Sequence, residues 1–542
     1  MSTCRLLTLL ACAAILTSAC TRGGRGGGGP RAHADGTLRV AMSYAVNTLN
    51  PVLMTQETEA NIAALMFDPL IATDEHGRDV PILAREVPTL ENGGIARDGL
   101  TITYHLRRGV RWHDGAPFSS HDVAFTIAAI DNPRTLVGSR HGYDDIASVT
   151  TPDVATAVIH LKHRFAPAVD TFFATSDSPY FIIPAHLLER YADLNRVPFD
   201  AAPVGTGPFR FSKWLRGDRV EMTANDGYFL GRPHLRKIVV RYVPDENTIV
   251  NELETREIDW FAFATPHAYE QLRTLAGYRT DLVPTNGYDA IEFNVTHPPF
   301  DDARVRRAFG LALDKAAIVR DQTFGSAVPA REDLPPFLWA QDPHAGTDLR
   351  DLAGAKRLLE AAGWRAGPGG IRMRGGQRLA FQLAYRNESA TDRGRGVLVA
   401  AMLREAGMEA TLKGYISSLY YASAGGGGIL ALGRYDSAFQ TWYSGIDPDD
   451  STQLLCNQVA PAGYNWARYC NPAMDAAQAI ALSRYDRPTR TRAYATIERL
   501  LARDAPFVYL WWPRQIETVT PALKNFRPNG IIETWNAYRW SF

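Results

Sequence analysis

Cysteine is scarce in this chain, five among 542 residues, and no CxxC pair, HExxH helix, GxSxG elbow or P-loop occurs. Those absences remove the common redox, zinc, nucleophile and phosphate signatures, so an enzyme has no motif to rest on. Neither sign of charge is in excess: 58 basic side chains stand against 58 acidic ones, leaving no net field to hold nucleic acid. Long apolar runs are lacking too, since the longest, Leu6 to Thr17, falls short of the ~20 residues of a membrane span. What is present is a globular composition, 46% hydrophobic and 10% aromatic, in a chain too long for one core. Two or more lobes are expected.

The apolar run follows Arg5 and ends in Leu16-Thr17-Ser18-Ala19-Cys20. A charged start, an apolar middle and a small-residue end make residues 1–19 a signal peptide. Its end resembles a bacterial lipobox, with Thr17 where Leu is usual, which makes Cys20 the expected lipid carrier; an ordinary secretory signal is the other reading. The mature chain is then extracytoplasmic, periplasmic or at the cell surface, and held to the membrane by lipid. Residues 20–36, the cysteine and a Gly-rich stretch, read as a tether. Cys4 and Cys12 leave with the signal. Cys456 and Cys470 remain, either as a bridge suited to an oxidising compartment or as two buried thiols.

The rest alternates strands and helices. Thr37 to Ala45, Leu100 to Leu106 and Val154 to Leu161 have the composition of strands, and Ser119 with Asp122 approaches a capping box for a helix to about Ile130. Lys237 to Val243, Glu246 to Thr255 and Ile258 to Phe263 form a βαβ pattern. Asp301 and Asp302 can cap a helix through about Arg320, and Asp351 another that stops at Gly363. Leu379 to Tyr385 reads as a strand, Gly396 to Ala406 as a helix ended by Gly407, and Met408 to Tyr415 as a strand. The fold class is α/β, with mixed lobes and a cleft between them as the favoured ligand site.

Two features invite a functional reading and receive a structural one. Gly205-Thr206-Gly207-Pro208-Phe209 lacks the Lys-Ser/Thr ending of a phosphate loop, and its Pro removes a backbone donor, so a turn is expected. His160 and His163 are three apart, a spacing that serves a metal on a helix but not on a strand. They are expected to be solvated, as are His113 and His121.

Specific motifs follow in order: Phe67-Asp68-Pro69-Leu70, Val80 to Ala84, and the block from Tyr104 to Phe118 leading to Asp122-Val123. After them come Gly205 to Phe209, Phe293-Asn294 with Val305 to Phe309, Ala355 to Trp364, and Asp504-Ala505-Pro506. In this order and spacing the chain resembles, over nearly its whole mature length, the large bacterial extracytoplasmic solute-binding proteins of peptide and nickel ABC importers.

The resemblance implies a two-lobed, periplasmic-binding-protein-like fold with hinge strands. Lobe I would be 37–287 plus 514–542, with an extra subdomain at about 76–203, and lobe II 288–513. It implies a substrate-binding lipoprotein that traps a peptide or similar small solute between the lobes and delivers it to a permease and an ATPase. No bond is made or broken, no cofactor or metal is required, and the protein is expected to be a monomer. A receptor for a metal chelate or other non-peptide carboxylate solute is the alternative, and an exported peptide hydrolase a distant one.

Residue by residue, Arg386 matches the arginine that holds the peptide C-terminus in dipeptide binders, and Trp442 and Tyr443 end a strand where they either meet the ligand or pack in the core. The loop from Trp442 to Asp449 is one residue shorter than in peptide binders and has Gly445 where the amine-binding aspartate stands. Asp447 is the nearest carboxylate that can replace it, unless it serves to cap the turn at Pro448. The spacing of Cys456 and Cys470 is similar to the disulfide loop of dipeptide-binding members.

Overall fold

The computed structural model describes residues 35–174, 179–346 and 350–542; the signal segment and Cys20 lie outside them. Two sheets organise the molecule. The first has seven strands in the order Arg279–Pro284, Arg514–Val519, Trp260–Phe261, Thr37–Met42, Lys237–Tyr242, Arg219–Ala224 and Phe209–Leu215. The second has six: Val328–Pro329, Phe507–Trp512, Gly287–Phe293, Ser437–Tyr443, Ala380–Arg386 and Glu409–Tyr415. A smaller three-stranded antiparallel sheet, Thr101–His105, Thr156–Leu161 and Ile146–Asp153, carries the inserted segment.

The chain passes between the large sheets twice. Strand Arg279–Pro284 of the first is followed at once by Gly287–Phe293 of the second, across Thr285 and Asn286. Strand Phe507–Trp512 of the second returns as Arg514–Val519 of the first, across Pro513 alone. Thr285 Oγ1 donates to the Pro513 carbonyl at 2.8 Å, which ties the two links together. Gly530 presses against the first link: a Cβ there would lie 2.0 Å from the Pro284 carbonyl oxygen, so only glycine fits.

Each sheet is covered by apolar helical faces, the α/β arrangement expected. Strand Gly287–Phe293 is buried along its whole length, as a central strand covered on both faces must be. The βαβ pattern is present with the N-terminal strand inserted: Thr37–Met42 pairs in parallel with both Lys237–Tyr242 and Trp260–Phe261. Cys456 and Cys470 form a disulfide closing a loop of sequence separation 14.

Three expectations need correction. The helix from Asp301 to Arg320 is two helices, Ala303–Ala312 and Lys315–Thr323, because Asp302 caps the first through Arg304 N and Asp314 caps a second through Ala317 N. The helix drawn from Gly396 begins at Ala390, where Ser389 accepts from Asp392 N. His113 is not solvated: its Nδ1 accepts from Gly205 N at 3.2 Å and its Nε2 lies 3.0 Å from the Gly207 carbonyl. Burial there drives its pKa down to about 4, keeping it neutral.

His113 thereby holds the Gly205–Phe209 turn. A Cβ at Gly205 would meet the Met66 carbonyl at 1.8 Å, and Thr206 donates to the buried Asp68 at 2.8 Å. The glycines serve close packing, and the motifs around Asp68, His113 and Gly205 are one piece of scaffold.

Candidate ligand-binding cleft

A cavity of about 670 Å³ lies between the two large sheets, within the range of small-molecule sites. The first sheet and its helices contribute Tyr44, Glu57, Arg514 and Gln515; the second contributes Asp289, Arg386, Asp392, Arg395, Thr441, Tyr443 and Trp511. A second, more apolar cavity of about 350 Å³ shares the walls Gln56, Glu57 and Tyr443 and is otherwise lined by Met54, Ala60, Tyr180 and Ile531, among others. Tyr44 and Tyr443 leave 50% and 46% of their surfaces uncovered, and both open onto the larger cavity. Large aromatics left bare inside a cleft are surfaces for a ligand to cover.

Local structure explains the charged wall. Arg386 ends strand Ala380–Arg386, which pairs in parallel with both neighbours. The cavity therefore lies beyond the carboxyl ends of parallel strands, where open α/β sheets bind ligands. Because Ser389 starts the next helix, Asp392 and Arg395 stand three residues apart on one face and both reach the cavity.

Arg386 binds Asp392 through Nε at 2.7 Å and Nη2 at 3.1 Å. Arg395, 2% exposed, binds Asp392 at 3.0 Å and Asp289 at 2.7 Å, and its guanidinium lies 4.1 Å from the Phe439 ring centre. Asp289 also accepts from Thr441 at 2.7 Å. Burial would raise the carboxyl of Asp392, but Arg395 and Arg386 bring it below the usual range. The two guanidiniums and two carboxylates balance. Arg514 adds a further positive charge at the same cavity, bonded to the Ser326 and Gly325 carbonyls at 2.6 and 2.9 Å.

Of the residues singled out from the sequence, Arg386 and Tyr443 meet at this cavity. Trp442 and Asp447 lie instead beside a crevice of about 30 Å³, with Gly445, His141 and Asp449, room for little more than water. Trp442 packs on Tyr464, with ring centres 5.3 Å apart. Asp447 is buried and paired with Arg490, which donates to its Oδ1 at 2.7 Å and stands 2.7 Å from its Oδ2. Beside that pair stand the half-buried Asp79 and Asp170 of the inserted segment; desolvation raises both carboxyls, Asp170 well above its usual value, with Arg487 opposing the rise in both and Arg490 in Asp170. His141 meets Asp449 at 2.9 Å nearby.

Sequence reasoning missed Glu57, Asp289, Asp392, Arg395 and Arg514. Placing the helix start at Ser389 would have brought Asp392 and Arg395 into view, since a serine three residues before an aspartate is a start signal. The other three sit on strands or a helix end where no local pattern marks them.

His163 pairs with Asp145 and His121 with Glu189, both at 3.1 Å, while His160 lies within hydrogen-bond range of Thr101 and Thr150. Among the described residues no cluster of His, Cys, Asp or Glu is arranged to hold a metal ion, and no helix is long and apolar enough to cross a membrane.

Two large sheets joined by two short links, with a charged and aromatic cavity between them, define a protein built to enclose a small solute. Residues 72–462 match the family model for the bacterial extracellular solute-binding proteins, family 5 middle region, and the chain belongs to that family. It is 29% identical over 487 residues to Protein XP55 of Streptomyces lividans, covering 88% of this chain and 84% of that protein. It is 25% identical over 552 residues to the oligopeptide-binding protein AppA of Bacillus subtilis, covering 99% and 98%. Among solved structures, NikZ of Campylobacter jejuni, crystallised with Ni(L-His), shares the fold at a TM-score of 0.78 and 24% identity, covering 94% of this chain and 100% of that one.

Proposed function

We propose that the chain is the substrate-binding subunit of an ABC importer, exported, held to the membrane by lipid on Cys20, and delivering a peptide or similar carboxylate-bearing solute to a separate permease and ATPase. The observation that carries this reading is the cavity itself, walled from both sheets by bare tyrosines and by guanidiniums. The oligopeptide-binding relative supports a peptide as the solute class. The lobes are read as 37–287 with 514–542, including a subdomain at about 76–203, and 288–513, in keeping with where the chain passes between the sheets. Native mass spectrometry of the gently purified protein tests the reading: a retained peptide mass supports it, and a retained metal complex or a solute without a carboxylate overturns the peptide assignment.

Within this reading Arg386 faces the solute carboxylate through Nη1, since Asp392 occupies Nε and Nη2, and Arg514 supplies the charge that the balanced network lacks. Arg386→Ala is expected to weaken dipeptide binding roughly tenfold or more, about 1.4 kcal/mol, by calorimetric titration. Unchanged affinity would remove Arg386 from the site.

A further inference from the structure

Across the cleft from Arg386 and Arg395, the wall from the first sheet and its helices presents a carboxylate. Glu57 opens the helix Glu57–Met66 and lines both cavities. Its side chain hydrogen-bonds with Gln515, and among the described residues no Lys, Arg or His pairs with it. Behind it lie two more acids: Glu517, which accepts from Trp260 Nε1 at 2.6 Å and Phe263 N at 3.2 Å, and the fully buried Glu533. Burial lifts Glu57 to about 7 and Glu517 to about 8, and holds Glu533 well above its usual value, with Glu57 and Glu517 adding to the rise. Glu57 is half-buried at the cavity wall, and with no basic partner among the described residues that position leaves the solute to supply the counter-ion.

We propose that Glu57 is the anion that receives the solute's cationic nitrogen, in place of the absent aspartate at Gly445, so that the cleft selects zwitterions with the amine on the Glu57 wall and the carboxylate on the Arg386 wall. The inference rests on the cavity being the solute site, and it adds the chemistry of the second end. The apolar cavity that shares Glu57 gives the amine-bearing residue room for a large apolar side chain beside Met54, Ala60 and Ile531. Asp447 is not available for this role, because Arg490 already neutralises it.

The test is calorimetric titration of wild type and Glu57→Gln with leucyl-leucine, its N-acetyl form, its C-terminal amide and 6-aminohexanoate. Wild type is expected to prefer the free amine over the acetylated peptide at least tenfold, and Glu57→Gln to lose that preference while keeping its affinity for the acetylated form. Acetylated and free peptide binding wild type equally, or a preference that survives Glu57→Gln, overturns the assignment and leaves the peptide reading standing. If 6-aminohexanoate alone binds, and loses affinity in Glu57→Gln, the peptide reading falls and the assignment stands. If no amine-bearing probe binds, the assignment is overturned. Glu57→Asp, which keeps the charge on a shorter arm, serves should the glutamine variant fail to fold.

Discussion

Glu292→Gln is expected to stabilise the protein at pH 8 by on the order of 4 kcal/mol and to change little below pH 4.5. Glu292 lies 1% exposed in the central strand of the second sheet, and among the described residues neither carboxyl oxygen closes a hydrogen bond of good geometry. Burial raises its pKa from 4.5 to about 8, with Tyr435 and Arg468 offsetting part of the rise. The folded protein therefore binds a proton that the unfolded chain has already released between those two values. Stability is full below the unfolded pKa and drains away as pH climbs toward about 8. Urea unfolding at pH 5 and pH 8 reads the effect as a shallower pH slope in the variant. Glu517, also raised to about 8 by burial, keeps some slope in both proteins. An unchanged slope would show that Glu292 titrates alike in the folded and unfolded chain.

Arg490→Met is expected to cost about 3 to 5 kcal/mol, the usual loss when one partner of a buried ion pair is removed. Its guanidinium holds Asp447 at two 2.7 Å contacts and donates through Nε to the Ala481 carbonyl at 2.9 Å. Asp170 feels the same charge from the inserted segment, so the substitution strands several acids at once. The double variant Arg490→Met with Asp447→Leu is expected to recover part of the loss, since removing both charges removes the desolvation each requires. Urea unfolding at pH 7 measures both; a single-variant loss under about 1 kcal/mol would mean that water already solvates Asp447.

Local signals were legible in the sequence wherever a few neighbouring residues decide the structure. Ser119 and Asp122 do form a capping box, and Asp351 does cap its helix through Gly354 N. The break at Leu313 and Asp314 was not legible, because the apolar pattern runs on through it and only the second cap reveals the stop. His113 looked like a surface residue because the turn it clamps lies about ninety residues downstream. The site divides the same way. Arg386 and Tyr443, singled out by their strand ends and by resemblance, line the cavity, whereas Asp289 and Arg395 meet only because the fold brings a strand and a helix 106 residues apart into contact. A carboxylate such as Glu57, arriving from the other sheet, follows from tertiary contact and from no spacing in the chain.

The two links between the sheets have a mechanical consequence. With Pro513 alone in one and Thr285 and Asn286 in the other, bonded across by Thr285 Oγ1, few backbone torsions remain about which the halves could turn. Such a joint behaves as a pair of pins on a common axle and admits swing while resisting slide and twist. A solute that bridged the two walls would therefore draw the halves together along one angular coordinate, whichever of its chemical groups did the pulling.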